Sequence, residues 1–219
     1  GGSETAAGNR KADARQMRGQ RHGLFSAFLL KELRMLFRTP VYFMNCVLTA
    51  LLMPVLLVII IVSAFSELGT QIALPITLGY IPNLWAITLL IAFAAGGFMG
   101  GINMISSTSV SREGTNAFFM KYVPVPVQTQ VMAKAGCGIL ISAVCTWLML
   151  IPLHVVLAYP LWLDALFILG SLLSIIMTNL FGVLIDLIRP KLIWEQEASA
   201  VKQNFNGFLS MMVSFVVAI

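Results

Sequence analysis

The chain has 219 residues, of which 58% are hydrophobic and 11% are charged, and its mean hydropathy is +0.89. A soluble domain of this length carries charge on about a quarter of its residues. The composition therefore excludes an ordinary soluble globule, a disordered chain, a collagen-like fibre and a disulfide-stapled secreted domain. The 14 basic residues outnumber the 9 acidic ones, but they stand in short blocks between apolar stretches, which argues against nucleic-acid binding. The sequence predicts an all-α polytopic membrane helical bundle in contact with the lipid bilayer.

Residues 1–23 are polar and rich in Gly and Ala, and they predict a flexible cytoplasmic linker. No apolar signal-peptide segment follows the basic residues before Leu24. Because the sequence lacks an initiator Met and stops within an apolar stretch, we expect a fragment of a longer protein, joined by this linker to a preceding half.

Residues 24–38 predict an amphipathic helix along the cytoplasmic membrane surface. At about 100° per residue, the basic side chains share one face and the large apolar ones share the other. Glu32 lies at the edge of the apolar face, where a carboxylate requires a partner. The helix is either an interfacial anchor or a surface that also contacts a cytoplasmic protein. The basic face contains Lys31, Arg34 and Arg38, and the apolar face contains Phe25, Leu29, Leu33 and Leu36.

Residues 39–219 form the predicted transmembrane domain. A helix needs about 20 apolar residues to cross the hydrocarbon core, and four long intervals here lack Asp, Glu, Lys and Arg. The stretch 70–83 contains two prolines and predicts an interfacial or re-entrant element outside the membrane. The five predicted spans lie near 41–64, 84–106, 135–158, 165–185 and 204–219.

The distribution of basic residues predicts the orientation. All 14 lie before the first span or in the second and fourth connections, whereas the outer connections contain only Glu67 and Asp164 as charged residues. An excess of Lys and Arg marks the cytoplasmic side. We therefore predict a multi-pass cell-membrane protein in which the residues before the first span and both basic loops are cytoplasmic. The outer connections also carry interfacial aromatic residues, namely Tyr80, Trp85, Tyr159 and Trp162.

The sequence shows no catalytic or cofactor-binding pattern. It contains no phosphate-binding P-loop motif, no HExxH or GxSxG motif and no paired acids on a span. His154 is the only readily titratable side chain in the spans, and it is either a packing residue or a proton relay. Cys46, Cys137 and Cys145 lie within spans and are either packing residues or part of a disulfide or metal site. We predict that the chain is not an enzyme and holds no cofactor or metal, so active transport requires energy from a partner.

Small and amide side chains in the spans predict helix packing. Four glycines on span two form overlapping GxxxG repeats, which let its backbone approach another span or another half-transporter. Three asparagines at membrane depth either form interhelical hydrogen bonds or line a substrate path. The glycines are Gly96, Gly97, Gly100 and Gly101, and the asparagines are Asn45, Asn103 and Asn179.

The connection between spans two and three has a distinctive order of residues. It contains in turn Arg112, Glu113, Gly114 and Thr115, an apolar stretch, Pro124 and Pro126, and finally Lys134. This arrangement resembles the ABC-2 type ABC transporter permeases, whose first cytoplasmic loop has a similar start, a later Pro and a Lys before the next span. The amphipathic helix with Lys31 and Glu32 is similar to the connecting helix of that family.

The second basic connection, DLIRPKLIWEQEASAVKQN at residues 186–204, looks like a pattern in a subgroup of large bacterial ABC exporter permeases. The resemblance covers residues 28–204 and suggests a fragment like the C-terminal half of such a chain, with the sixth span of the family truncated. The charged residues Asp186, Arg189 and Lys191 are either a surface-exposed helix end or a site where a partner docks.

The resemblance implies a permease half that works with a cytoplasmic ABC ATPase subunit, which binds ATP and Mg, and with a second permease half or a homologous permease. In that family the connecting helix and the first loop dock on the ATPase and transmit its dimerisation to the spans. The alternative for Glu113 is an ion pair with Arg112 or Lys121 at the membrane surface. The residues that match the coupling role are Lys31, Glu32, Arg112, Glu113, Gly114 and Thr115, with Pro124 and Lys134 as further matches.

Two functions of different classes follow from these observations. The first is the transmembrane permease component of an ATP-driven ABC-2 type exporter with an unidentified substrate. The second is a non-transporting membrane scaffold or assembly protein that recruits cytoplasmic partners. A facilitator or channel is less favoured, because no part of the sequence resembles a selectivity filter.

Overall fold

A computed structural model describes residues 23–68, 81–157 and 159–218. All regular secondary structure in these ranges is helical, and they contain no β-strand. The prediction of an all-α protein is therefore confirmed for the described residues. Almost all of the predicted linker, 1–23, and most of the predicted interfacial element, 70–83, lie outside them.

Helix α1 covers residues 23–38, where the sequence predicts an amphipathic helix. Its apolar face lies against the protein, because Leu36 belongs to a buried cluster that Leu29 and Leu33 also contact. Its basic residues Arg34 and Arg38 are exposed. Tertiary contacts therefore hold α1 in place, in addition to any contact with lipid.

Helix α2 begins as Pro40–Tyr42, passes through a π-helical segment at Phe43–Leu48 and continues as Thr49–Leu68. Proline suits the first turn of a helix, because the N–H that it lacks has no partner there. The side-chain amide of Asn45 donates to the carbonyl of Val41 at 2.7 Å. This polar group is therefore satisfied within its own helix and not by a neighbouring span.

The remaining elements follow in chain order. A 3₁₀ segment with a kink at Gly114 separates α3 from α4, and we call it the loop helix. Pro152 cannot donate a hydrogen bond to the preceding turn, and α4 gives way to α5 at that turn. The elements are α3 (Leu84–Ile102), the loop helix (Ser111–Lys121), α4 (Val127–Leu148), α5 (Leu150–Leu157), α6 (Leu161–Ile188), α7 (Glu197–Val201) and α8 (Phe205–Ala218).

Four helical stretches in the described residues are long and apolar enough to cross a membrane, namely Pro40–Ala64, Leu84–Ile102, Val127–Val155 and Leu161–Ile188. This finding fits a multi-pass membrane protein. The fifth predicted span, 204–219, contains only the 14-residue helix α8. At 1.5 Å per residue α8 extends about 21 Å, which is less than the hydrocarbon core of about 30 Å. The described residues therefore show four such helices and not five.

Two helix ends differ from the approximate span limits that the sequence predicts. The second span, predicted to reach residue 106, ends as a helix at Ile102, and Met104 then adopts a left-handed backbone with φ 53°. The third span, predicted to begin at residue 135, begins at Val127. Its start was misplaced because Lys134 was taken as a loop residue, whereas the helix continues through this buried lysine.

Helix α3 lies at the centre of the bundle and packs along α6, with α8 against both. The four glycines of α3 are all buried. A Cβ atom at Gly96 would lie 2.5 Å from the carbonyl oxygen of Ser171, and one at Gly101 would overlap the Ser214 side chain. The GxxxG glycines therefore permit close helix contacts within this chain.

A buried polar network joins the C-terminal end of α3 to α4 and α6. The side-chain amides of Asn103 and Asn179 both donate to the Ser142 hydroxyl. The Ser106 hydroxyl donates to Asn179 Oδ1 at 2.6 Å. These two asparagines therefore form the interhelical hydrogen bonds that were one of the two possibilities for them.

Candidate functional site

Five charged side chains meet where α1, the loop helix and α4 are in contact, and we call them the charge cluster: Lys31, Glu32, Arg112, Glu113 and Lys134. Lys134 lies at the centre, and its side chain is 2% exposed. Its Nζ donates to Glu32 Oε1 at 2.8 Å, to Glu113 Oε1 at 2.8 Å and to the carbonyl of Ser109 at 3.0 Å. All three donors of the ammonium group are therefore used.

Glu113 receives a second ammonium group at the outer edge of the cluster. Its Oε1 accepts from Lys31 Nζ at 2.6 Å, and the Lys31 side chain is 52% exposed. Burial disfavours the charged form of Glu113, but the attraction and hydrogen bonds of Lys134 and Lys31 outweigh it and lower the pKa of this carboxyl. Burial also disfavours the charged form of Lys31, but the hydrogen bond to Glu113 leads the opposing effects that raise the pKa of Lys31. Both groups are therefore charged near neutral pH.

Arg112 is a buried cation of the cluster. Its Nη1 donates to the carbonyl of Ile105 at 2.8 Å and to the Thr108 hydroxyl at 2.9 Å, and its Cζ lies 5.8 Å from the centre of the Tyr42 ring. Its Nη2 is 4.0 Å from Glu32 Oε2. Within the described residues neither this Oε2 atom nor Arg112 Nε has a hydrogen-bond partner. Because buried polar atoms are normally paired, the cluster retains unused hydrogen-bonding capacity.

A second polar junction centres on Asp186, near the C-terminal end of α6. This carboxylate is fully buried, and its Oδ2 accepts from the backbone N–H groups of Val110 at 2.7 Å and Ser111 at 3.0 Å. Its Oδ1 accepts from the Ser111 hydroxyl and from the side-chain amide of Asn206 at 2.9 Å. A carboxylate at the start of a helical segment satisfies N–H groups that have no partner in the segment. Asp186 is therefore an interior anchor of the loop helix. Of the two possibilities for this helix end, exposure at the surface holds for Arg189 but not for Asp186.

Trp194, which belongs to the second basic connection, also holds the loop helix in place. Its Nε1 donates to the carbonyl of Ser111 at 2.9 Å. The backbone of Gly114 has φ 56° and ψ −135°, and a Cβ atom there would lie 3.0 Å from the Trp194 ring. Glycine is required at this position both for its backbone conformation and for the close approach of the ring.

The loop helix also carries exposed apolar side chains. Phe118 and Phe119 are exposed, and Tyr122, directly after the helix, is 81% exposed. Lys121, which is also exposed, lies among them. A group of exposed apolar side chains outside the spans is typical of an interaction surface. We call these four residues the loop surface.

A third polar group lies at the opposite end of the bundle. His154 Nδ1 is 3.0 Å from Asp164 Oδ2, and the Tyr159 hydroxyl donates to Asp164 Oδ1 at 2.7 Å. Burial, together with the hydrogen bond to Asp164, raises the pKa of Tyr159. His154 therefore packs beside a carboxylate and a phenol between α5 and α6.

The described residues contain no group of three or more His, Cys, Asp or Glu side chains arranged to hold a metal ion. Cys46, Cys137 and Cys145 are buried free thiols. They form no disulfide with one another in this part of the chain.

The eight residues assigned by the resemblance fall into two groups. Five form the charge cluster, and Gly114 lies beside it against Trp194. Thr115 and Pro124 are exposed and do not belong to the cluster. The ion pairs of Glu113 are with Lys31 and Lys134, and the described residues show none with Arg112 or Lys121.

Asp186, Trp194 and Asn206 are the residues whose role the sequence did not reveal. The sequence marks Asp186 only as the first charge after a long apolar helix. An acidic residue at such a place is common at membrane surfaces, and its partners lie 75 and 76 positions earlier in the chain. The serine-rich run before Arg112, with its buried hydroxyl groups, was the available signal for a polar interior at this level.

Comparisons of the chain with protein-family models, with curated proteins and with solved structures found no match.

Proposed function

We propose that this chain is the transmembrane permease component of an ATP-driven ABC-2 type exporter, energised by a separate ATP-binding subunit that docks on its cytoplasmic face. The partner subunit binds ATP and Mg²⁺ and hydrolyses the nucleotide. This chain supplies membrane helices and converts the movement of the partner into movement of those helices. Its substrate is unidentified.

The observation that carries the proposal is the double contact of Lys134 with Glu32 and Glu113. One buried ammonium group joins α1, the loop helix and α4 through charge-assisted hydrogen bonds of 2.8 Å. Asp186 joins the same loop helix to α6. A force applied to the loop helix is therefore transferred to two long apolar helices through short bonds, as a rigid-body mechanism requires.

The loop surface is the proposed docking site of the ATPase. Its exposed aromatic residues belong to the loop helix or directly follow it. The charge cluster and Asp186 both fix this helix to the rest of the bundle. An aromatic patch with one lysine suits a partner pocket that is apolar at its centre and acidic at its rim. In this proposal the charge cluster transmits movement of the loop helix to α1 and α4.

The proposed topology places the loop helix and α1 on the cytoplasmic side of a bacterial cell membrane. It is supported by the location of the basic residues: all of them lie before the first span or in the two basic connections, except Lys134, which lies in the first turns of α4. In this proposal α8 begins the fifth span, and a second permease half or a homologous permease completes the transport path.

Cross-linking from single introduced cysteines tests the docking. The native thiols are buried, so a thiol-directed cross-linker reports the introduced residue. In native membranes, we expect Tyr122→Cys to capture a P-loop ATPase at near-stoichiometric yield. The matched control is Leu161→Cys, which is also exposed but lies at the opposite end of the bundle and should capture none.

Substitution in the cluster tests the transmission. Glu113→Ala should preserve assembly with the ATPase and abolish permease-dependent ATP hydrolysis, whereas Glu195→Ala, an exposed acid outside the cluster, should change neither. Capture of lipid or of another membrane protein by Tyr122→Cys, with no ATPase, would instead support the scaffold function. If permease-dependent ATP hydrolysis were normal with Glu113→Ala, Glu113 would not take part in transmitting movement to the helices.

A further inference from the structure

A cavity of about 380 Å³ opens beside the charge cluster, between α1, the first turn of α2, the loop helix and α7. Tyr42, in that first turn, is one of its walls. Pro40–Ala64, which is long and apolar enough to cross a membrane, starts at this turn, and we therefore infer that the cavity lies where this helix enters the bilayer. Phospholipid headgroups occupy this level.

The charges around the cavity are of both signs. Lys31 and Arg112 line it, and Arg112 is buried with its Nε unpaired within the described residues. Glu197 also lines it, is exposed, and makes no ion pair in the part of the chain that the structure describes. Glu113, a further wall residue, is already neutralised by two lysines. The cavity therefore offers cationic donors and one free carboxylate to a ligand.

Aromatic side chains complete the wall. Tyr42, Phe119 and Trp194 all line the cavity. The face of an aromatic ring attracts an ammonium group, and tyrosine and tryptophan are common at the membrane interface. An amine on the ligand would thus find both a carboxylate and ring faces.

We propose that this cavity binds the zwitterionic headgroup of a phospholipid, in which a phosphate is joined to a primary amine. The phosphate lies toward Lys31 and Arg112, and the amine lies toward Glu197 and the aromatic wall. A soluble phosphate–amine compound has the same chemistry, but the position of the cavity at the first turn of a span favours the lipid. The cavity shares Phe119 with the loop surface, but binding of a headgroup needs no partner protein and can be tested without the ATPase.

Native mass spectrometry of the full chain in a neutral detergent tests the site with two lipids. We expect phosphatidylethanolamine to be retained in preference to phosphatidylglycerol, which has the phosphate but lacks the amine. Glu197→Gln should reduce retention of phosphatidylethanolamine about fivefold, which corresponds to the upper end of the energies of exposed ion pairs. It should leave retention of phosphatidylglycerol unchanged. Glu195→Gln, two residues away and outside the cavity wall, is the matched control and should change neither.

A second pair of variants tests the phosphate side. Lys31→Gln should weaken retention of both lipids, whereas Arg34→Gln, an exposed cation of the same helix, should weaken neither. Equal retention of the two lipids by the unmodified chain, or equal effects of Glu197→Gln and Glu195→Gln, would overturn the proposal. Displacement of the lipid by phosphoethanolamine at equal concentration would assign the cavity to a soluble zwitterion and overturn the lipid assignment.

Discussion

Glu32 and Lys134 are 102 positions apart in the chain, and their side chains form an almost completely buried ion pair of 2.8 Å. Removing two charges from water is costly, and such a pair persists only where further hydrogen bonds satisfy it. Lys134 makes two of these additional bonds, to Glu113 and to the carbonyl of Ser109. The pair therefore fixes α1 to α4. Without Lys134, Glu32 would stay buried with only the longer contacts to Lys31 at 3.8 Å and Arg112 at 4.0 Å.

Lys134→Met should lower the free energy of unfolding by about 3–5 kcal/mol, because Glu32 would remain buried without its shortest ion pair. Thermal unfolding of the purified protein in detergent measures the effect.

The double variant Glu32→Met with Lys134→Met is the control. It removes both charges and should recover most of the lost stability. A double variant that is less stable than Lys134→Met alone would show that the pair itself, and not the unpaired carboxylate, determines the loss.

The pH dependence of stability should carry a contribution from Glu113. Its pKa is lowered in the folded chain, so its stabilising effect is complete above the ordinary value of 4.5 and is lost as the pH falls through the folded value. Glu113→Gln should therefore narrow the difference in unfolding temperature between neutral and acidic pH. A difference as large as that of the unmodified chain would contradict this assignment.

Asp186→Ala should lower the free energy of unfolding by about 2–4 kcal/mol, because it leaves the buried N–H groups of Val110 and Ser111 without an acceptor. Chemical denaturation in detergent measures this loss. Glu195→Ala, which removes an exposed carboxylate, should change stability little. Equal effects of the two substitutions would rule out Asp186 as an anchor.

Gly114→Ala should cost about 1–3 kcal/mol, because alanine is strained at φ 56° and ψ −135° and its methyl group meets Trp194. The double variant with Trp194→Ala tests the two causes separately, because it relieves the contact but not the backbone strain. Gly23→Ala, where no atom lies within 4 Å of the added carbon, is the matched control. If the losses in free energy of unfolding of Gly114→Ala and Trp194→Ala simply add in the double variant, the contact with the ring contributes nothing to the cost of Gly114→Ala.

Gly96→Ala should separate α3 from α6 and lower the unfolding temperature, since the added carbon would lie 2.5 Å from both a backbone oxygen and the Ser174 hydroxyl. Overpacking of this kind costs about 1–3 kcal/mol. Gly136→Ala is the control, because its nearest atom, at 3.3 Å, belongs to the movable ring of Phe25. Equal unfolding temperatures for the two variants would contradict the close helix contact.

The sequence by itself determined the helices and their approximate limits. A bilayer accepts only segments that satisfy their own backbone hydrogen bonds and expose apolar side chains. Charge-free intervals such as 165–185 therefore predict apolar helices long enough to cross it. The same reasoning predicted that Glu32, at the edge of an apolar face, needs a partner. Local periodicity and local composition suffice for conclusions of this kind.

Only the tertiary structure decided which charges are neutralised and by what. Lys134 was placed outside its helix because a charge normally ends a span, and the carboxylate that allows it inside lies on α1, far away in the chain. Asp186 was either an exposed helix end or a docking residue by its position in the sequence, and its partners come from the start of the loop helix and from α8. Burial of a charge depends on atoms brought together from distant segments, and no local pattern in the sequence contains that information.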